Sequence, residues 1–372
     1  MIIINDTPVR FSDFTDLKYL QGGTSSFLTG FLRYLLQRNR NAKLIGNFQN
    51  YHDSSFQIVP VLAKSNISFL VKLAYYFVFS SEKVKYGLFY CQRPDHLAIT
   101  LISKGKHVVH LHGQPYTTMN AGRSRIRKFV YNRLEKYAMP RADLVIATDS
   151  RTAELYTSLY PVIKPNLQII PTGISLTYFD PGIAVQQFPG IKPNTSNLVY
   201  IGRLVYPKQV SIIIAAFIKA QVFNPSLHLW IAGIGPDEQK LRYIASKSSC
   251  RSNIHFVGLL SRDNVRSLIH SSDAGILLSN HEGSPIVVKE FLASGKPVIV
   301  NNVGDVNQYV KNGVNGYIVD LEQIESIVEA IQNTVFKAKH LADNCRTSVL
   351  PYAEELIFEE IYELHMKLQK NE

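Results

Sequence analysis

A chain of 372 residues exceeds what one hydrophobic core usually organises and fits two domains. With 46% apolar residues, modest charge and no low-complexity tract, it is neither disordered nor fibrous. A net charge of +11, from 40 Lys and Arg against 29 Asp and Glu, draws it to anionic partners such as phosphate esters, anionic lipid or nucleic acid. Cys91, Cys250 and Cys345 lie far apart with no CxxC pair, which points away from disulfides and zinc and towards a reducing cytoplasm.

The opening MIIINDTPVRF lacks the basic start, long apolar stretch and cleavage site of a secretory signal. Short β-branched runs then alternate with amphipathic stretches, the pattern of parallel sheets covered by helices on both faces. In the first half the strands are predicted at Ile2 to Ile4, Ala42 to Phe48, Leu88 to Cys91, His107 to Leu111, Asp143 to Thr148 and Leu167 to Ile170. A helix over Thr24 to Gln37 follows Gly22 and Gly23 and carries Phe27, Leu28, Phe31, Leu32, Leu35 and Leu36 as one stripe. Ile67 to Phe79, interrupted by Lys72, falls short of the roughly twenty residues that a spanning helix needs. It predicts a buried or interfacial helix, and no transmembrane span is expected. The segment Arg123 to Lys136 sets Ile126, Phe129, Val130 and Leu134 on one face among basic residues. Such a helix suits an anionic bilayer, and equally a solvated face covering the N-terminal core.

Phe179 to Asn197, rich in Pro, Gly and polar residues, reads as a linker. It divides the chain into a first domain, 1–180, a second, 181–345, and a C-terminal segment, 346–372, expected to pack back toward the first. The second half predicts strands at Leu198 to Gly202, Leu227 to Ala232, Ile254 to Gly258, Ala274 to Leu278, Pro297 to Asn301 and Tyr317 to Val319. An amphipathic helix over Glu354 to Gln369 ends the chain.

Three segments of this half carry chemistry. Leu198 to Lys208, L-V-Y-I-G-R-L-V-Y-P-K, sets Gly202 and Arg203 at a strand end and Lys208 before the next helix. Ligands of open α/β sheets bind beyond the strands' carboxyl ends, where two cations suit a diphosphate. Taken alone, both read more simply as solvated surface charges. Ile231 to Pro236, I-A-G-I-G-P, supplies glycines for a sharp turn and a close ligand approach, but the third glycine and the acidic residue of a dinucleotide fingerprint are missing. Ser279 to Val300 contains S-N-H-E-G-S-P-I-V-V-K-E, in which Ser284 is a fitting N-cap and Pro285 a fitting first helical residue. The loop Gly283 to Ile286 would then present helix N-terminal amides to phosphate or sugar oxygens. Glu282 on that loop and Glu290 in the helix could accept hydrogen bonds from sugar hydroxyls.

G-R-L-x3-K, G-x-G-P, and E-G-x-P-x4-E followed by A-S-G-K-P-V, in this order, resemble glycosyltransferase family 4, whose fold is GT-B. The likeness continues upstream through Ile169 to Phe179, Arg141 to Ala147 and H-L-H-G at His110 to Gly113. It implies two Rossmann-like α/β domains facing each other across a cleft, the first binding the acceptor and the second a nucleotide-sugar donor. By this resemblance Arg203 and Lys208 bind the donor's phosphates, Glu290 its ribose and Glu282 its sugar. Gly22 and Gly23 match a glycine-rich loop near the donor, and His112 matches a histidine close to the sugar. Where the family often has Gly-Gly-x-x-Glu, this chain has Gly304, Asp305, Val306, Asn307 and Gln308, and Ser175 replaces a common aspartate.

The resemblance further implies a retaining sugar transfer in surface polysaccharide, lipopolysaccharide or glycolipid biosynthesis. The donor is a substrate, and neither cofactor nor metal is expected, since no convincing D-x-D stands near a strand end. Asp13 and Asp16 read as caps. Expected partners are the nucleotide sugar, a lipid-linked or oligosaccharide acceptor and an anionic membrane surface. Nucleic acid is not expected, for want of any groove-reading motif. A sugar-nucleotide 2-epimerase of GT-B fold and a non-catalytic sugar-nucleotide-binding module are the alternatives.

Overall fold

The computed structural model describes residues 1–10, 23–49, 56–63, 65–79, 86–113, 125–192 and 194–370. The chain forms two compact units, Met1–Thr172 with Glu355–Glu372 and Gly173–Glu354, each built on one parallel sheet.

In the first unit β1 (Ile2–Arg10), β2 (Ala42–Gln49), β3 (Phe56–Pro60), β4 (Tyr86–Cys91), β5 (Lys104–Leu111), β6 (Leu144–Ala147) and β7 (Leu167–Ile169) lie in the order β3-β2-β1-β4-β5-β6-β7. Between them run α1 (Gly23–Gln37), α2 (Asn66–Phe79), α3 (Pro94–Thr100), α4 (Arg125–Ala138) and α5 (Ser150–Leu159). The two-residue period of a strand sends Ile2 and Ile4 into one core, with Phe69, Leu73 and Phe77 of α2. It sends Ile3 into the other, with Phe27, Leu28, Phe31 and Leu32 of α1. Strands covered on both sides are apolar throughout rather than alternating, and all four residues of β6 are buried. β3 is an additional strand beyond the six predicted. It is an edge strand of five residues ending in proline, and only Phe56 is buried.

In the second unit β8 (Ser196–Ile201), β9 (Leu227–Ala232), β10 (Ile254–Gly258), β11 (Ala274–Leu277), β12 (Val298–Asn301) and β13 (Gly316–Val319) take the order β10-β9-β8-β11-β12-β13. The helices are α6 (Val210–Gln221), α7 (Glu238–Ser246), α8 (Arg262–His270), α9 (Ile286–Ala293), α10 (Val306–Tyr309), α11 (Ile324–Phe336) and α12 (Ala338–Val349). The Pro- and Gly-rich stretch read as a linker is packed into this unit. Phe179, Phe188 and Ile191 are buried in its core, and Phe188 meets Trp230 edge-on at 6.0 Å between ring centroids. The division of the chain accordingly falls after Thr172, and residues 346–354 stay with the second unit.

The last helix, α13 (Glu354–Lys370), contributes Ile357, Phe358 and Ile361 to the core beneath α1. Phe358 packs on Phe27 and on Phe31 at 5.5 Å each, and Glu359 accepts from Arg40 Nη2 at 2.8 Å. Among the described residues, no helix is long and apolar enough to cross a membrane.

Candidate functional site

The chain leaves β8 towards β9 and β10 on one side, and leaves β11 towards β12 and β13 on the other, so β8 and β11 flank the switch point of the second sheet. A crevice opens there because successive connections diverge. The loop after β8 passes Arg203, makes a tight 3-10 turn over Tyr206–Lys208 and enters α6 through Gln209, which is left-handed at φ 45°. The loop after β11 is stitched to it, with Asn280 N–H and Ser279 Oγ both donating to Pro207 O at 2.8 and 2.9 Å. Asn301, at the end of β12, fixes Ser279 in turn by accepting from its N–H at 2.9 Å and donating to its carbonyl at 2.8 Å.

This stitching brings Lys208 and Glu282, separated by 74 positions, into direct contact, with Nζ donating to Oε1. Both side chains are largely shielded, at 19% and 12% exposure, so the pair is less screened than a surface one. Arg203 is exposed and has no ion-pair partner among the described residues. Its backbone is pinned by Tyr200 OH, which donates to Arg203 O at 3.0 Å. Gly202 is needed beneath it, since a Cβ there would lie 2.7 Å from the Tyr200 hydroxyl. The glycines of I-A-G-I-G-P serve the protein rather than leaving room for a ligand. Carbons added at Gly233 and Gly235 would sit 1.9 Å from Gly202 O and 2.1 Å from Leu204 O.

The helix after Glu282 begins later than expected. Pro285 is the N-cap of α9 and Ile286 its first residue. Ser284 Oγ donates to Asp305 Oδ2 at 2.6 Å and accepts from Lys289 Nζ at 2.6 Å. Lys289 and Asp305 themselves pair at 3.1 Å, at 0% and 1% side-chain exposure. Asp305 Oδ1 also accepts from Tyr309 OH at 2.9 Å, and the Lys289 ammonium lies 4.9 Å and 4.5 Å from the Tyr309 and Tyr352 ring centroids. Glu290, the fifth residue of α9, is partly buried. Burial raises its carboxyl pKa, with Arg262 pulling the other way. Among the described residues neither Glu290 nor Arg203 hydrogen-bonds to the Lys208–Glu282 pair.

The first sheet has its own switch point between β1 and β4. His112, just past β5, bonds through Nε2 to Gln92 Oε1 at 2.8 Å and stacks on His110 at 4.2 Å. Burial lowers the His112 pKa to about 4, so the ring is neutral at physiological pH. Gly23 opens α1, whereas Gly22, Asp13 and Asp16 lie outside the described residues. Sequence reasoning missed Gln92 and also a cluster beside it. Arg93 donates to Asp6 Oδ2 at 2.7 Å and, through Nε and Nη2, to Asp95 at 3.0 and 2.8 Å. Burial pushes the Asp6 carboxyl up, but His96 and Arg93 outweigh it and hold the group well below the usual range. The signal was the run Q-R-P-D-H directly after an apolar strand.

The family model described as "Glycosyltransferase Family 4" matches residues 22–178, and the one described as "Glycosyl transferases group 1" matches 184–347. Glycogen synthase of Mycobacterium tuberculosis is 26% identical over 204 residues, covering 54% of this chain and 48% of that protein. UDP-Gal:alpha-D-GlcNAc-diphosphoundecaprenol alpha-1,3-galactosyltransferase of Escherichia coli is 26% identical over 233 residues, 60% of this chain and 59% of that one. The chain thus spans about half the length of the curated relatives it matches. Sucrose-phosphate synthase from Thermosynechococcus elongatus superposes with a TM-score of 0.83 at 17% identity, covering 100% of this chain and 99% of that one, and shares the GT-B fold.

Proposed function

The chain belongs to the family 4, group 1 glycosyltransferases, and from that premise we propose that it moves a sugar from a nucleotide-sugar donor to an acceptor hydroxyl, retaining anomeric configuration and using no metal. The observation that carries this reading is the set of charges on the loops at the β8/β11 switch point, a preassembled Lys208–Glu282 pair and, on the loop that carries Lys208, an exposed Arg203 with no ion-pair partner among the described residues. The transition state resembles an oxocarbenium ion, with negative charge growing on the leaving diphosphate. Arg203, Lys208 and the first amides of α9 stabilise that charge without reorganising, each such donor being worth about 3 kcal/mol. One of three Lys208 protons is taken by Glu282, which leaves two for phosphate oxygens, while Glu282 keeps its second oxygen for a sugar hydroxyl.

Glu290, whose raised pKa marks a desolvated carboxyl, accepts from the ribose. Gly22, Gly23, Gly202, Gly283, Pro285 and Ile286 contribute backbone, and so does Ser284, because its hydroxyl is already engaged. Neutral His112 orients a sugar hydroxyl rather than acting as an acid.

For the acceptor we propose a lipid-linked glycan precursor met at the inner membrane face. The galactosyltransferase above, whose name specifies a diphosphoundecaprenol-linked substrate, supports that choice. So do two exposed surfaces of the first unit. On α2, Val71, Tyr75 and Phe79 stand outward, the two rings 5.1 Å apart. On α4, Phe129 and Tyr137 stand among the exposed Arg133 and Lys136. Apolar rings among cations suit an anionic bilayer surface. Cys91, Cys250 and Cys345, all buried and unpaired, suit a reducing compartment.

The test is a thermal-shift screen with UDP, GDP, ADP and CMP in EDTA, on the unaltered protein and on Arg203→Ala. A ligand at a hundredfold its Kd adds about 2.7 kcal/mol. A metal-independent shift with one nucleotide, lost in the variant, is expected. No shift with any of the four would overturn the donor reading.

A further inference from the structure

Lys289 and Asp305 are the charged residues buried in the second unit, among those described, and the proposed chemistry does not explain their burial. Either charge alone would be costly in an interior, and a buried pair is rarely retained for stability, since well-packed apolar residues often do as well or better. What such a pair can supply is a single geometry. Here every polar group of the circuit is satisfied: Lys289 Nζ by Ser284 Oγ and Asp305 Oδ2, Asp305 Oδ1 by Tyr309 OH, and the Ser284 hydroxyl as donor and acceptor at once. The backbone repeats the connection, since Asp305 N–H donates to Gly283 O at 3.0 Å. Gly304, at φ 58°, lies so close that an added Cβ would meet Gly283 O at 1.8 Å. The loop Glu282 to Pro285 is therefore fastened to the β12–α10 loop at a side chain and at a carbonyl.

We propose that Lys289 and Asp305 are positioning residues for the donor, holding the loop Glu282 to Pro285 and the first turn of α9 in ligand-ready form before the nucleotide sugar arrives. The proposal rests on the donor reading above. A loop fixed in advance spares the ligand its ordering entropy, and a misplacement of about 1 Å at such a site can cost on the order of 100-fold. Ser284 acts here through its partners and not on the ligand. Asp305, standing where the related pattern often has a second glycine, is the half of the device that sequence alone marks as unusual.

The experiment compares the unaltered protein with Lys289→Met and with Lys289→Met/Asp305→Asn. Each is followed by thermal unfolding, by titration with UDP and then GDP, ADP and CMP, and by amide hydrogen exchange over residues 282–289. Lys289→Met strands a buried carboxylate and lowers Tm, and the double variant removes that charge and recovers most of the Tm. The expected result is that the double variant, though stable, still exchanges faster in this segment alone and binds its nucleotide about 100-fold more weakly. Recovery of nucleotide affinity together with Tm overturns the proposal, because the pair would then be structural only. Unchanged exchange at 282–289 in the double variant overturns it as well. Failure of the unaltered protein to bind any of the four nucleotides overturns the donor reading and the proposal with it, and is told apart because it needs no substitution.

Discussion

At the carboxyl end of the second sheet Arg203, Lys208 and Glu282 stand as full charges turned to the crevice loops. At the same end of the first sheet the groups beside β4 and β5 are neutral, Gln92 hydrogen-bonded to His112, and His110 stacked on His112 and bonded to the Tyr90 hydroxyl. Three charged residues described there, Asp6, Arg93 and Asp95, are engaged with one another. A diphosphate demands fixed cations whatever sugar it carries, so a donor side has little freedom in its chemistry. Hydroxyl recognition, the task proposed for the first unit, can be met by many neutral donors and acceptors, so its signal in a sequence is far less plain.

The largest expected effect tests the charged end. Arg203→Ala should lower kcat/KM for transfer by about 10²–10³-fold, the loss typical of one preorganised donor to a developing anion, with Tm nearly unchanged because Arg203 is exposed. A Tm loss in step with the rate would erase the contrast, since the residue would then be structural.

Next comes a pH test of the neutral end. His365, on α13 against Tyr90 at 4.5 Å, is buried, and desolvation lowers its pKa to about 3. A group depressed in the folded state contributes stability that is present above the unfolded pKa of about 6.5 and lost as pH falls from there towards the folded value. At pH 5 this one ring should cost about 2 kcal/mol relative to pH 8. Urea unfolding of His365→Leu should show a correspondingly flatter pH dependence. An undiminished slope would mean that the acid sensitivity lies elsewhere.

The smallest effect concerns the first unit's surface. Arg133→Ala and Lys136→Ala should each weaken binding to vesicles containing anionic lipid by about 1 kcal/mol, roughly fivefold, and only at low salt. Vesicle affinity equal to that of the unaltered protein would assign the basic face of α4 to solvent.

Most of the architecture was legible in the sequence because buried parallel strands announce themselves as apolar runs, as at Leu227–Ala232 and Ala274–Leu277. β3 was not, being a half-exposed edge strand without a clean period. The stretch from Phe179 to Asn197 misled for the opposite reason. Its Pro and Gly content is that of a linker, yet Phe179 and Phe188 anchor it in a core that only the fold brings near. At the site, Arg203, Lys208 and Glu282 could be named because their motifs match the family's in order and spacing, strand position alone being too weak a signal. The Lys208–Glu282 contact and the Lys289–Asp305 circuit could not. A lysine within a helix reads as a surface residue until a carboxylate from another loop is seen against it. Ser284 illustrates the limit of local rules, since the helix starts one residue later than its N-cap chemistry predicts and its hydroxyl is held by Asp305 and Lys289.

The placement of α13 also orders events during synthesis. Phe27 and Phe31, made early, are packed against Phe358, which emerges from the ribosome only after the whole of Gly173–Glu354 has been translated. At about 5–20 residues per second that is a delay on the order of ten seconds or more, during which the second unit has its full sequence and the first keeps an apolar face bare. The N-terminal half of this chain therefore receives the last segment of its core only after the second unit's sequence is complete.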